Sequence, residues 1–585
     1  MPQRFDPIIS ANFNGGEVFG IEKTLLKPNQ LAKALNVRFK LGGGFTNRPG
    51  YYERSMTNFS GVGSNGIQGS FSNGDEAYFV ANGKIFVEVD DFTDAFELYS
   101  GLDTTAPVEF LSFSGDLYVM NGVNFPLRIA RSKTTTDLVA LTSTSVTVSS
   151  GQGWRFTATG TVRVISALGY DDITVTAKTN DVLTITAATV ALSPVAGALI
   201  YQVTSLSSAP KIGFGCEFQN TWLAAGNPGE STKTYQGNTM FYSRGATGIN
   251  PEYFYDFAGT GSGYIPVGDK SNILNIVKTK RYALIIKKTS IFICSGFDSS
   301  GIPIIEPLTD TYGAASTRSV CQADDQILVF TGKSIKEIGE QQGLASEFPS
   351  VSSSFDGKIF EELKTLDADQ SGAVLHFNPH QKLLKLWVKK NNADVTFVMD
   401  SNIPEKPWSR DTGKPAGTAV FHKGETYWGS NVEPKIYQDE VGYDDNGVGI
   451  RSEVKLADFN AGSSRISKYF QAQYIRGLLG TGCDILVNIY FDDEIIQQYH
   501  ITDTQIQLTG GSPIGRMRIG TGVGISTTTS QFAFPFEFEK LLKKRRDTRI
   551  MSVEFIVDGE GQIFEITEQE INGFYSRKFD RKVRT

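Results

Sequence analysis

The stretch EAYFVANGKIFVEVDD, residues 76–91, sets two runs of apolar and β-branched residues on either side of Asn82-Gly83. Gly accepts a positive φ at no Cβ cost and Asn at little, and a two-residue turn of this kind matches the twist of two antiparallel strands. The stretch reads as a β-hairpin. Comparable stretches follow along the chain: GDLYVMNGVNFPLRIAR (115–131), with Asn121-Gly122 as its tight turn, GCEFQNTWLAAGNPG (215–229), RYALIIKKTSIFICSG (281–296), DDQILVFTGKSIKEIG (324–339), QKLLKLWVKK (381–390) and TAVFHKGETYWGS (418–430).

Helical periodicity is almost absent, and short runs rich in Val, Ile, Phe, Tyr and Thr recur between Gly, Asn, Asp and Ser clusters, as in an all-β chain. Roughly seven such units at about 40-residue spacing suggest small sheets repeated around an axis. A stack of β-sandwiches is the alternative. Residues 131–205 interrupt the series with a Thr-, Val- and Ser-rich tract, expected to close as a small inserted β module. From about 446 longer alternating strands, such as RIMSVEFIVDGEGQIFEITEQEI, suit a terminal sandwich. The expected fold is thus all-β: an irregular β-propeller with a small inserted β-barrel module and a C-terminal β-sandwich. Its expected divisions are residues 1–130 (N-terminal arm and first blades), 131–205 (insert), 206–445 (remaining blades) and 446–585 (sandwich).

At 585 residues the chain is too long for one core, and 40% hydrophobic with 20% charged residues describes a folded chain. A formal net charge of -7 argues against a general nucleic-acid coat, whose affinity needs excess Lys and Arg. Cys216, Cys294, Cys321 and Cys483 are too dispersed for a zinc site and read as buried thiols. The opening MPQRFDPIISANFNGG lacks the basic start and apolar run of a secretion signal, and no membrane-length apolar run follows, so an aqueous, reducing compartment is expected.

Several stretches imitate functional motifs. In NVRFKLGGGFTNRPGYYE (36–53), Gly42, Gly43 and Gly44 could cradle a phosphate, but such loops open a helix, and here Pro49 and two tyrosines follow. FTGKS (330–334) lacks the leading Gly of a Walker loop, and GTGVG (520–524) lacks dinucleotide spacing; both read as turns. DADQSGAVLHFN (367–378) places Asp367, Asp369, Ser371 and Gly372 as an EF-hand does, yet ends in Asn378 where calcium needs a bidentate Glu. YQDEVGYDDNG (437–447) offers Asp439, Asp444 and Asp445 to a cation, but reads more simply as an acidic turn. The histidines are His376, His380, His422 and His500, with no G-x-S-x-G elbow or HExxH helix. No catalytic, cofactor or metal residue is assigned, no cofactor is expected, and the chain is read as a non-enzyme. Lys543, Lys544, Arg545 and Arg546, and the basic end YSRKFDRKVRT, are candidates for contacts with a neighbouring subunit or DNA.

The opening NFNGGEVFG (12–20) followed by LLKPNQLAKALNVRFKLGGGFTNRPG (25–50) resembles that of the tail nozzle (tail tubular, or stabilisation) proteins of short-tailed bacteriophages. The resemblance is carried by Phe13, Gly15, Gly16, Asn36, Gly42, Gly43, Arg48, Pro49 and Gly50. FLSFSGDLYVMNGVNFPLRI (110–129), TMFYSRGATGINPEYF (239–254) and VTFVMDSNIPEKPWS (395–409) look like later blade strands of that family. The resemblance implies a virion protein assembled in the host cytoplasm as a hexameric ring below a ring of adaptor proteins. It forms the tip through which genomic double-stranded DNA leaves the capsid, with tail fibres or spikes as further partners and no stable membrane insertion. The chain is shorter than many such proteins, which implies reduced channel-closing tip domains. Asn36, Gly42, Gly43, Arg48, Pro49 and Gly50 become structural residues, with Arg48 clasping carbonyls or a carboxylate across a corner that feeds the first blade. The rival reading is a carbohydrate-binding or glycan-cleaving propeller, for which the five tryptophans are scattered along the chain.

Overall fold

The computed structural model describes residues 4–54, 63, 65–89, 94–167, 169–226, 237–248, 250–339, 350–351, 358–460, 467–502, 533–542, 548–559 and 561–575. Among the described residues the chain is almost entirely β, and its larger part is a propeller-like ring of seven four-stranded antiparallel blades, three of them continued by further strands.

Blade 1 comprises Ile67–Ser72, Ala77–Ala81, Lys84–Val89 and Asp94–Ser100. Blade 2 comprises Glu109–Phe113, Asp116–Met120, Leu127–Lys133 and Leu199–Ser205. Blades 3 to 6 begin at Phe214–Phe218, Ile273–Lys278, Val320–Ala323 and Val374–Asn378, and blade 7 at Ala416–His422. The outer strand of blade 7 is not contiguous with the rest: Tyr51–Glu53 pairs antiparallel with Ile436–Asp439, so the N-terminal part of the chain closes the last blade.

The second strand of each blade explains why the sequence shows unbroken apolar runs rather than alternation: both of its faces are covered. Ala77–Ala81 is buried throughout; Tyr78 and Val80 enter the core shared with blade 2, and Phe79 and Ala81 the core shared with blade 7. In Thr221–Ala225, Trp222 and Ala224 face blade 2, whereas Leu223 and Ala225 face blade 4. The series continues with Leu284 and Ile286 against Ile327 and Val329, Leu328 and Phe330 against Leu384 and Leu386, and Trp387 against Trp428. Each seam between consecutive blades holds its own apolar cluster, and the cluster of Phe79, Phe86, Val420 and Tyr427 joins the last blade to the first.

The insert lies between two neighbouring strands of blade 2, Leu127–Lys133 and Leu199–Ser205, which pair directly across its base. Strands at Ser145–Thr147, Gly160–Ser166, Gly169–Thr179 and Val182–Ile185 extend the same sheet and enclose Val146, Phe156, Val162, Ile173 and Leu183. Alternation is strict here: Ile173 and Val175 point inward while Thr174 and Thr176 are exposed.

Two further sheets contain the C-terminal strands. One orders Val37–Phe39, Phe45–Asn47, Phe564–Tyr575, Lys468–Gly480 and Ala533–Leu541. The other continues from blade 6 through Gln30–Leu35, Ser452–Leu456, Met551–Val557, Asp484–Phe491 and Glu494–Thr502. Their common core includes Phe13, Leu31, Val37, Phe45, Ile475, Val487, Phe555 and Ile566. The N-terminal arm is therefore built into the C-terminal sheets, and the corner at residues 48–50 feeds the last blade rather than the first. The strands 37–39 and 45–47 are short and need long partners, which the C-terminal strands supply.

Candidate functional site: a buried charged joint at the Arg-Pro-Gly corner

The two short strands of the arm turn at residues 40–44, where Lys40 N–H donates to the Gly44 carbonyl and Gly43 N–H to that of Lys40. Gly43 has φ +98°, and a Cβ there would lie 2.7 Å from the Ala11 carbonyl oxygen; Gly42 has open space around it. At Gly50 a Cβ would fall 1.6 Å from the Asp444 carbonyl oxygen, so two backbones touch where no side chain fits. Gly15 and Gly16 likewise abut Asn29 and the Pro407–Trp408 backbone, and Phe13 is fully buried.

Asn36, at φ 54°, adopts the left-handed conformation that Asn tolerates better than most residues. Its Oδ1 accepts from Arg48 Nε and from Thr412 N–H, both at 3.0 Å, and its Nδ2 donates to the Arg451 carbonyl at 2.8 Å. Arg48 is fully buried. Besides Asn36, its guanidinium donates to the carbonyls of Pro49 (3.0 Å) and Thr412 (3.3 Å) and to both oxygens of Asp445 (2.7 and 2.5 Å). These contacts match its five donors.

Arg48 belongs to a larger network. Arg38 makes a two-point contact with Asp411 (2.9 and 2.7 Å) and also reaches Glu440. Lys414 bridges Asp411 (3.2 Å) and Asp439 (2.8 Å), and Lys385 bridges Asp439 and Glu440, both at 2.6 Å. Arg38, Arg48, Lys385 and Lys414 thus balance Asp411, Asp439, Glu440 and Asp445 at the meeting point of the arm, blades 6 and 7, and the hairpin beyond them. Burial alone would raise Asp411 and Asp439, but Arg38 and Lys414 hold the former, and Lys385 and Lys414 the latter, below the usual carboxylate range. Asp445 goes the other way: burial raises it and Arg48 offsets only part of the effect. With each charge opposed at short range, removing one partner is the costly change.

The same contacts account for the other candidates. Asp439 and Asp445 are taken by the network, and Asp444 accepts from Tyr52 OH (2.8 Å) and Gly447 N–H (2.6 Å). Asp367 accepts backbone N–H groups of Asn391 (2.7 Å) and Asn392 (2.9 Å), and Asp369 that of Ser371 (2.9 Å), as turn-forming carboxylates. Thr331 and Ser334 close the FTGKS stretch as a hairpin turn. No group of three or more His, Cys, Asp or Glu side chains suited to a metal occurs among the described residues. GTGVG, Lys543, Lys544, Arg545, Arg546 and all of the basic end but Tyr575 lie outside them.

One grouping has no local signature in the sequence. His422 Nδ1 lies 2.8 Å from Ser72 Oγ, and its Nε2 lies 3.4 Å from Glu88. Ser, His and Glu are a nucleophile set by composition. Here His422 and Glu88 are each 1% exposed, and Ser72 Oγ already accepts Gly74 N–H at 3.1 Å, so the trio serves to join blades 1 and 7. Beside it, a polar cleft of about 490 Å³ between blade 1 and the insert is lined by Glu76, Glu88, Arg131, Lys133, Arg155 and Lys423, among others. Arg131 pairs with Glu76 (2.8 Å), and Arg155 donates to the Arg131 (3.2 Å) and Ser114 (2.6 Å) carbonyls, which fastens the insert to blade 2.

The fold and joint define an all-β, propeller-like protein in which a buried cluster of four cations and four carboxylates holds elements together. No family model matches the chain, and no curated protein does. Among solved structures, the WD40 domain of Pan2 from Neurospora crassa is 9% identical, covering 67% of this chain and 95% of that one, with a TM-score of 0.30. YCF48 bound to D1 peptide is 8% identical, covering 65% and 92%, with a TM-score of 0.32. An exo-β-1,3-galactanase from Phanerochaete chrysosporium is 8% identical, covering 61% and 95%, with a TM-score of 0.23.

Proposed function

We propose that this chain is a virion structural protein, the ring-forming nozzle or hub of a short phage tail. In this reading it is an irregular propeller with a small β-barrel insert and a C-terminal β-sandwich, and it is not an enzyme. Six copies form a ring beneath the adaptor proteins, and the ring retains and then passes double-stranded DNA during ejection. It assembles in the host bacterial cytoplasm, and fibres or spikes dock on the same hub.

One observation carries the reading. The residues behind the resemblance to nozzle proteins include Phe13, Gly15, Gly16, Asn36, Gly43, Arg48 and Gly50, and these occupy buried joints where backbones touch or charges lock. A shared opening of this kind encodes architecture, as a passive conduit requires. The net charge of -7 supports a lumen that does not hold phosphates through counterion release. Against the sugar reading, Trp222, Trp387, Trp408 and Trp428 are buried and unavailable for stacking on a glycan.

Negative-stain images of the purified chain, taken alongside a glycan-hydrolysis assay, test the proposal. The expected result is six-fold rings with a central opening about as wide as a DNA duplex and no hydrolysis. Isolated particles that cleave a glycan would contradict it.

A further inference from the structure

Blades 7 and 1 meet where the outer strand of blade 7, Tyr51–Glu53 paired on Ile436–Asp439, leads on in sequence to Ile67–Ser72 of blade 1. On the inner side, Arg318, from the segment preceding blade 5, reaches across the axis.

Its NH1 donates to the Gly417 carbonyl of blade 7 at 2.6 Å, and its NH2 to the carbonyls of Gln68 in blade 1 and of Val108, which leads into blade 2. Its Nε pairs with Glu109, the first residue of blade 2's inner strand, at 2.9 Å. The segment is held from other sides as well. The Arg318 carbonyl accepts Leu375 N–H of blade 6 at 2.8 Å, Ser316 Oγ donates to the Ala373 carbonyl, and Asn275 Nδ2 of blade 4 donates to the Thr317 carbonyl at 2.6 Å. A planar fork with five donors suits this task; an ammonium, whose donors diverge from one point, does not reach the same set.

We infer that Arg318 is an inner latch of the ring: it spans the blade 7–blade 1 seam from the axis, so that the seam opens only when these contacts break. The inference is independent of the reading as a tail protein. It also means that the axis of the blades is obstructed at this level, so a passage for a large polymer has to run between copies of the chain.

Hydrogen exchange followed by mass spectrometry on the full-length chain tests the latch. In Arg318→Ala, amides of Ile67–Ser72 and Ala416–His422 are expected to exchange about tenfold faster or more, while those of Phe214–Phe218, remote from the seam, keep their wild-type rates. Arg318→Lys and Glu109→Gln should give smaller increases confined to the same two strands, and they carry the test if the alanine variant does not fold. Unchanged exchange at the seam, or an equal acceleration in every blade, would overturn the inference.

Discussion

Arg48 and Asp445, 397 positions apart in the chain, meet in a two-point ion pair whose arginine is fully buried. The pair ties the corner of the N-terminal arm to the hairpin that follows blade 7. Arg48→Ala leaves Asp445 beside the rest of the network without its fork of donors and takes the same donors from the Pro49 and Thr412 carbonyls. A loss of about 3–5 kcal/mol is expected in urea unfolding of the variant, as for other broken buried pairs. Because the arm also closes blade 7, assembly should suffer in parallel. A variant with wild-type stability would show that the pair contributes nothing net.

The glycines of the same corner are not equivalent. Gly50→Ala forces a Cβ onto the Asp444 carbonyl and should prevent stable folding or cost several times what Gly42→Ala does. Gly42 has room around it, so Ala there is expected to change stability by at most about 1 kcal/mol. Melting temperatures of the two variants side by side decide this, and equal shifts would refute the assignment of Gly50 as a contact glycine.

Acid sensitivity should carry a signature from His376. Burial, reinforced by Lys385, pushes its imidazole down to about 4 from 6.5, and its Nε2 is buried without a hydrogen-bond partner. The folded chain keeps this histidine neutral, whereas the unfolded chain takes up the proton first as pH falls. Its stabilising contribution is thus complete above about pH 6.5 and lost toward pH 4, to the extent of about 3 kcal/mol. Asp411 and Asp439, held low by their cations, lose theirs at lower pH. Unfolding free energies of wild type and His376→Gln measured from pH 7.5 to 4.5 should therefore converge or cross as pH falls; parallel curves would exclude His376 as the cause.

The thiols should be inert in the native state. Burial raises Cys294 to about 11 and pushes Cys216 and Cys321 up further still. Alkylation at pH 8 is expected to follow the rate of unfolding, with full reaction in denaturant. Fast labelling of Cys216 or Cys294, both buried, in the folded chain would contradict this expectation.

Much of the fold was legible because turns and two-sided burial leave local marks. Asn82 and Gly83, at φ 48° and 74°, form the tight turn that the sequence indicates. The second such site differs. Gly122 has φ 75°, but Asn121 instead folds its side chain onto the N–H groups of Val123 and Asn124 in a longer loop, and the tight turn of that blade is Ser114-Gly115, at φ 51° and 86°. Asn favours both uses, so composition does not separate them. Residues 131–133 and 199–205, which composition places in the insert, lie in two strands of blade 2 that pair with each other. Of the charged joint only the Arg48 corner had a local mark, and the Ser72–His422–Glu88 trio and the Arg318 latch had none. Each draws together residues from distant parts of the chain, such as Ser72 with His422 and Arg318 with Glu109, and a charge that meets its partner only in the folded chain looks like any surface charge in sequence.

The most direct test of the central claim is the mass of the purified assembly in solution, by mass photometry or sedimentation. A closed ring at six times the 64.0 kDa chain mass is expected. A stable single chain that remains unassembled at high concentration and turns over a substrate would contradict it.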